Sequence, residues 1–399
     1  MTDITTLKLR KNEERRLKSG HLWIFSNEID TQATPLKGLE PGSLVAIESS
    51  KGEPLGLAYA NPESLITARL LTRSSKAAIS TAFLVRRIER AKELRERFFD
   101  KPHYRLIYGE SDGLPGVVVD RFGDLLVIQS NTAGMDKLEG PLVDALRQVL
   151  KPKTIVIRNT SSLRGLEGLS ERIEVVHGEL DATPLVEENG AVYAIDPLAG
   201  QKTGWFFDHH ENRARLAPWS KGRRVLDLFA YTGAWGIPCA MAGAEKVDAV
   251  DASETALELL RSNAARNGVS DRVEGHQGDV FDFLRAAREE KQHWDVIIAD
   301  PPAFIKRKKD VPKGIEAYRR LNQMALQVLA PGGILVAASC SYHLQRETLK
   351  DVLRASSRHL DRHLVILSEG GQGPDHPVHP AIPETDYLKA VFCQAGPSL

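Results

Sequence analysis

The sequence predicts an α/β protein whose carboxyl-terminal half is a doubly wound sheet, preceded by a small β domain and an α+β middle piece. Three observations carry that expectation. From Val225 onward, short apolar runs alternate with segments whose apolar residues recur at helical spacing, the pattern of a parallel sheet with right-handed crossovers. The run Val225-Leu-Asp-Leu-Phe-Ala-Tyr-Thr-Gly233 takes an apolar strand into a small-residue turn, and Asp227 is out of place there unless something needs a carboxylate. The first 74 residues instead read as short strands broken by Gly and Pro.

At 399 residues the chain exceeds one ordinary core, and the expected divisions are 1–74, 75–190 and 191–399. A composition 42% hydrophobic and 27% charged is that of a globular protein. Net charge is zero, so any argument for nucleic-acid binding must rest on local patches. Cys239, Cys340 and Cys393 are odd in number and lack C-x-x-C spacing, which suggests neither a disulfide framework nor a metal site. No run of eighteen apolar residues and no apolar leader is present, so no membrane partner is expected and a cytoplasmic location is the plain inference.

Strands are expected at 43–48, 54–60 and 65–71. Before them, Lys8 to Lys18 carries six cations, among them Lys8, Arg10 and Lys11, against Glu13 and Glu14. A solvated helix face explains such a segment, and so does a phosphate-tracking surface, since Trp23 and Phe25 follow it. A helix is expected over 77–99. Next comes the turn-rich stretch from Arg105 to Gly116, then strands at 117–120 and 125–129, a helix over 137–150 and a strand at 154–158. Glu110 and Asp112 are read as serving nearby backbone N–H groups.

A hairpin-like pair is expected at 183–187 and 191–196. Asp208 and Glu211 have the spacing of a capping box for a helix through Arg215. The adjacent His209 and His210 point to different faces of such a helix, which disfavours a shared ion. The sheet should then use strands at 225–229, 247–250, 273–277, 294–299 and 334–339, with helices at 235–242, 254–267, 280–288 and 316–329. Two more strands, 363–367 and 387–392, flank a Pro- and His-rich loop, where His376 and His379 are read as loop packing.

Three carboxylates close three successive strands: Asp227, Asp251 and Asp279. Ligands of open parallel sheets sit outside the carboxyl ends of the strands, where these residues suit an amino-acid head, a ribose and an adenine edge. Thr232-Gly233 lets the backbone turn close to a ligand. The full G-x-G-x-x-G is absent, since Ala230 and Tyr231 stand at its first glycines, which favours a nucleoside cofactor without a pyrophosphate. Asp300 opens Asp300-Pro-Pro-Ala-Phe304, where two prolines hold the backbone extended and Phe304 can stack on a planar base. Lys306, Arg307, Lys308 and Lys309 follow and suit phosphate contact, with a solvated loop as the plainer reading. Cys340, in Ser339-Cys-Ser341, closes the next strand; such a cysteine is either a small buried hydrophobe or a nucleophile.

At these motifs the chain resembles the class I S-adenosylmethionine-dependent methyltransferases. More narrowly, it resembles the ribosomal large subunit methyltransferase I family, which makes 5-methylcytosine in 23S rRNA. The resemblance covers nearly the whole chain. Gly20-His-Leu-Trp-Ile-Phe-Ser-Asn-Glu28 with Asn61-Pro62 is similar to that family's PUA-type RNA-binding domain. Gly109 to Asp120 is similar to its central domain, Gln201-Lys-Thr-Gly204 with Asp208 to its entry into a Rossmann-like catalytic domain, and Asp375-His-Pro-Val378 with Tyr387-Leu-Lys389 to its end. Ala234-Trp235 departs from the small residues usual in the first loop. The resemblance implies S-adenosylmethionine as cofactor, 23S rRNA as partner and a homodimer. Tyr231, Gly233, Asp227, Asp251, Asp279 and Asp300 would be cofactor residues, Asp300 would also line the base pocket, and Cys340 would be the nucleophile. Methylation of a base nitrogen, which needs no thiol, and an RNA-binding assembly factor without turnover are the other readings.

Overall fold

A computed structural model describes residues 4–180, 183–200 and 202–398. Gln201 of the Gln-Lys-Thr-Gly motif lies outside the described residues. The chain forms two compact units: Met1–Pro184 with Asp196–Phe207 and Pro374–Thr385, and Leu185–Ile195 with Asp208–Gly373 and Asp386–Leu399. Among the described residues, no helix is long and apolar enough to cross a membrane.

The first unit contains two five-stranded sheets. In the smaller one, Thr5–Lys8 pairs parallel with Ser43–Glu48, and Pro54–Ala60, Ala68–Thr72 and Trp23–Ile24 follow antiparallel. Leu7, Val45, Ile47, Ala58 and Leu70 fill its core. The third strand begins at Ala68, later than expected, because Ser64 to Thr67 is a turn closed by the Thr67 hydroxyl on the Ser64 carbonyl. The other sheet orders Arg172–His177, Thr154–Asn159, Leu125–Ser130, Val117–Phe122 and His103–Tyr108. Helix Thr81–Arg95, capped by Ser80, packs with Glu139–Leu150 beside it. The expected turn-rich stretch is a strand up to Tyr108 and turns from Gly109 through Gly116. Its acids are structural: Asp112 takes both terminal nitrogens of Arg95 at 2.6 and 2.7 Å, and Glu110 takes the Trp23 indole N–H at 2.8 Å. Buried Asp375, arriving on Pro374–Thr385, accepts the Arg105 backbone N–H while its carbonyl accepts from Arg95.

The second unit is built on a seven-stranded sheet. Its strands are β1 (Arg224–Leu228), β2 (Lys246–Asp251), β3 (Val273–Gln277), β4 (Trp294–Ala299), β5 (Leu329–Ser339), β6 (Arg362–Gly370) and β7 (Lys389–Pro397). They lie in the order β3-β2-β1-β4-β5-β7-β6, with β1 to β5 parallel and β7 antiparallel to both its neighbours. The apolar runs are nearly continuous because helices cover both faces: α1 (His210–Leu216), α2 (Gly236–Met241), α3 (Glu254–Arg266), α4 (Val280–Glu289), α5 (Val311–Val328) and α6 (Arg346–His359). Leu226, Leu228, Ile297, Leu335, Tyr318 and Leu326 make the core between β1, β4, β5 and α5.

The expected capping box does not form. Asp208 lies in a 3-10 turn, Phe207–His209, one residue too early to cap α1, and His209 precedes the helix with no side-chain cap. The Asp208 carboxylate instead accepts the Tyr387 hydroxyl at 2.6 Å. α6, absent from the expectation, buries Leu349, Val352 and Leu353.

Candidate active site

The strand order places the chemistry in a row along the carboxyl edge of the sheet. Asp279 follows β3, Asp251 ends β2, Asp227 lies within β1, Asp300 follows β4 and Cys340 follows β5. Adjacent strands are about 4.8 Å apart, so the four carboxylates span about 14 Å, the length of a nucleoside with a substituent. β1 and β4 flank the point where the connections change direction, the usual crevice of open α/β sheets.

Asp227 is fully buried. Its Oδ2 accepts the Gly236 N–H at 3.0 Å, while Oδ1 has no partner. Burial pushes its carboxyl up to about 8, and the nearby Asp300 and Asp251 charges push in the same direction. The turn after β1 is tightly constrained: Phe229 and Tyr231 have φ of 63° and 50°, and Gly233 has 91°. A Cβ on Gly236 would come 2.8 Å from Val247 and 3.2 Å from the Asp227 oxygen, so only glycine lets α2 start against the carboxylate. Asp251 fixes the same turn, with Oδ2 accepting the Tyr231 N–H and Oδ1 the Ser253 N–H, both at 2.9 Å. Asp279 is exposed and caps α4, taking the Phe281 and Asp282 N–H groups on one oxygen.

Asp300 is held from two sides. Trp235 donates its indole N–H to Oδ2 at 3.0 Å, and His209 Nε2 faces Oδ1 at 3.3 Å. Asn212 settles the tautomer: its amide nitrogen donates to the Gly371 carbonyl at 2.8 Å and also lies 3.0 Å from His209 Nδ1. Nδ1 therefore accepts, and the proton of the neutral ring sits on Nε2 toward Asp300. Burial opposes ionisation of Asp300, but His209 and Trp235 outweigh it and hold the carboxyl below the usual carboxylate range.

The Asp300-Pro-Pro loop and the cysteine turn are braced by one set of hydroxyls. Tyr318 of α5 accepts from the Ser339 hydroxyl at 2.8 Å and shares a hydrogen bond with Ser341 Oγ at 2.9 Å. Ser341 Oγ also accepts the Ile305 N–H at 3.2 Å. Phe304 lies 4.9 Å from the Tyr318 ring, so one side of it is already engaged. Lys306, Arg307, Lys308 and Lys309 are all exposed, with Arg307 paired to Asp310. In the first unit, Lys8 is half-buried, and Arg10 and Lys11 are exposed. Of the neighbouring cations expected to form one basic face, Arg16 and Lys18 are paired to Glu28 and Glu53. Asp248, Glu274 and His276 come together elsewhere, but Lys246 sits on both carboxylates in the place of a cation.

A PUA-like domain model matches residues 7–73, and an S-adenosylmethionine-dependent methyltransferase model matches residues 169–375. Over 395 residues, the chain is 38% identical to the ribosomal RNA large subunit methyltransferase I of Shewanella denitrificans, covering 97% of this chain and 98% of that protein. The chain belongs to the ribosomal RNA large subunit methyltransferase I family. The namesake from Photobacterium profundum is 35% identical across 98% of this chain and 99% of its own. A candidate S-adenosylmethionine-dependent methyltransferase from Streptococcus mutans shares the fold at 23% identity, with a TM-score of 0.83 over 98% of this chain and all of that one. Another solved methyltransferase, complexed with SAH, matches at 23% identity and a TM-score of 0.84 over 98% of this chain and 100% of that one.

As a member of this family, the chain uses S-adenosylmethionine, and the residues fit it. The partnerless oxygen of Asp227 and the partnerless hydroxyl of buried Thr232 are polar groups that a packed protein does not leave unmet, and an ammonium-bearing ligand meets both. Sequence reasoning missed His209 and Trp235 as partners of Asp300, and Asn212 as the residue behind His209. In the sequence the histidine pair signals only a possible metal site, and Trp235 only a departure from the family's loop.

Proposed function

We propose that this chain transfers a methyl group from S-adenosylmethionine to carbon 5 of a cytosine in 23S rRNA, through a transient bond between Cys340 and carbon 6. The observation that carries this reading is the bracing of the Cys340 turn and the Asp300-Pro-Pro loop by Tyr318 and Ser341, which sets nucleophile and carboxylate on adjacent strands. The names of the full-length relatives support large-subunit RNA as the substrate. Residues 1–74, 75–190 and 191–399 then divide into RNA-binding, central and catalytic parts.

Asp227 would take the cofactor's ammonium, Asp251 the ribose hydroxyls on its outer lone pairs, and Asp279 the adenine edge, with Tyr231 and Gly233 shaping the turn. When bound, the cofactor supplies an electrophilic methyl group. Carbon 5 of cytosine is a poor nucleophile until the Cys340 thiolate adds to carbon 6 and pushes the double-bond electrons toward carbon 5. Asp300, kept ionised, also borders the cofactor site and accepts from the exocyclic amine, orienting the ring for that attack. After carbon 5 gains the methyl group, a base removes its proton and the carbon–sulfur bond breaks, restoring the double bond and the thiolate. The cytosine must be unpaired or flipped out, and Phe304 offers its outer face for stacking. Lys8, Arg10, Lys11 and Lys306 to Lys309 would track phosphates. A homodimer would be seated on the exposed Val365-Ile366-Leu367 edge of β6, and light scattering on that edge's Asp variants tests it.

The test is transfer of labelled methyl to rRNA lacking the modification, with nucleoside analysis, for wild type beside Cys340→Ala. Label in 5-methylcytosine that vanishes in the variant is expected. Label in another nucleoside, or label indifferent to Cys340, would replace this reading with nitrogen methylation.

A further inference from the structure

Lys389 is the first residue of β7 and the cross-strand partner of Ser339 on β5, one position before Cys340. Its side chain is turned inward, and the residue is only 5% exposed. Its Nζ donates to the Ser341 carbonyl at 2.7 Å, which ties β7 to the turn that carries Cys340. No carboxylate lies within 4.0 Å of it among the described residues, so this is a buried cation without an ion pair. An ammonium in that position is poorly solvated unless an anion answers it. The charged groups facing it are Asp386, just before β7, Arg346 at the start of α6, and Cys340 itself. The Tyr318 phenol from α5 is committed to Ser339 and Ser341. Asp386 and a Cys340 thiolate favour the charged lysine, and Arg346 disfavours it. By reciprocity, a charged lysine favours the thiolate. The exposed Lys306 to Lys309 cluster, screened by water, serves this purpose poorly by comparison.

We infer that Lys389 is the positioning residue for Cys340, holding the Ser339-Cys340-Ser341 turn by its carbonyl and stabilising the thiolate with a buried positive charge. The inference rests on the nucleophile assigned above. It identifies Tyr387-Leu-Lys389, distant from the cysteine in sequence, as part of the reactive centre. Burial holds the Lys389 ammonium down to about 8, and a neighbouring thiolate works against that loss of charge.

The test is the pH profile of alkylation by iodoacetamide in the full-length protein. Cys239 and Cys393 are buried and pushed up to about 12, so the profile between pH 6 and 9 reports Cys340. The wild-type midpoint should fall below the ordinary value of about 8.5. Lys389→Met keeps the stem without the charge and should raise the midpoint by about one pH unit, a roughly tenfold loss of thiolate at pH 7. Methyl transfer at pH 7 should fall about tenfold and recover as the pH is raised, and Lys389→Arg should restore part of both. A wild-type midpoint at or above the ordinary value overturns the inference even if the variants do not fold. An unchanged midpoint in a Lys389→Met protein that still binds S-adenosylmethionine overturns it as well. Should Cys340→Ala still make 5-methylcytosine, the parent reading falls first; an inactive Cys340→Ala beside an unmoved midpoint sinks only the role of Lys389.

Discussion

Asp227→Asn separates what the strand needs from what the cofactor needs. In the folded protein without cofactor the Asp227 carboxyl titrates near 8, against an ordinary value near 3.8. Its pKa is therefore raised on folding, and between those values the folded chain holds a proton that the unfolded chain has released. Stability from this group is complete below the unfolded value and is lost as pH rises toward 8. Within that window each step of one in pH removes about 1.4 kcal/mol, so from pH 6 to pH 8 the loss is at most about 3 kcal/mol. Asparagine keeps the shape and can still accept the Gly236 N–H, but it has no proton to lose. Urea unfolding of the cofactor-free proteins at pH 6, 7 and 8 should show wild type losing stability relative to the variant by that amount. Calorimetry should show the reverse in binding: the variant binds S-adenosylmethionine at least tenfold more weakly, while wild-type affinity climbs with pH as Asp227 ionises to meet the ammonium. Parallel pH slopes for the two proteins would refute the idea that this carboxyl is protonated at rest.

Two further outcomes are expected. Replacing Lys306, Lys308 and Lys309 by Ala should lower the slope of log affinity against log salt for single-stranded RNA by about 2, leaving S-adenosylmethionine affinity unchanged; filter binding across a salt series reads it, and an unaltered slope removes these lysines from the RNA surface. Gly134→Ala would set a methyl group 2.0 Å from the Tyr59 ring, whose hydroxyl donates to the Pro115 carbonyl and also bonds Thr132. A loss of about 1–3 kcal/mol should appear in thermal unfolding of the intact chain, and an unshifted midpoint would mean that the ring yields freely.

The parallel strands were legible because β1, β2, β4 and β5 are buried on both faces and so are written as apolar runs, with each carboxylate standing out against its strand. Strand Arg172–His177 was not, since it is a short edge strand whose residues, Ile173 and Val175 included, are largely exposed. The Asp208-x-x-Glu211 spacing was real but misleading: whether such a pair caps a helix depends on where the first turn closes, and here it closes after His209. His209 and Lys389 escaped for a different reason. Their meaning lies in tertiary register, the approach of α1 to the β4 edge and the pairing of β7 with β5, and no window of sequence around either residue contains its partner.

The way the two units share the chain bears on how the protein is made. Ribosomes deliver the chain from the amino terminus, and by Pro184 most of the first unit has been synthesised, including Arg95 and Arg105. Their partner Asp375 arrives only on Pro374–Thr385, after nearly the whole of the second unit. The first unit therefore waits without that segment, its arginines held meanwhile by Asp112 and Asp120, while another core forms. No single cleavage of the chain releases either unit whole, and fragments ending before residue 375 should emerge as clients for chaperones instead of as autonomous domains.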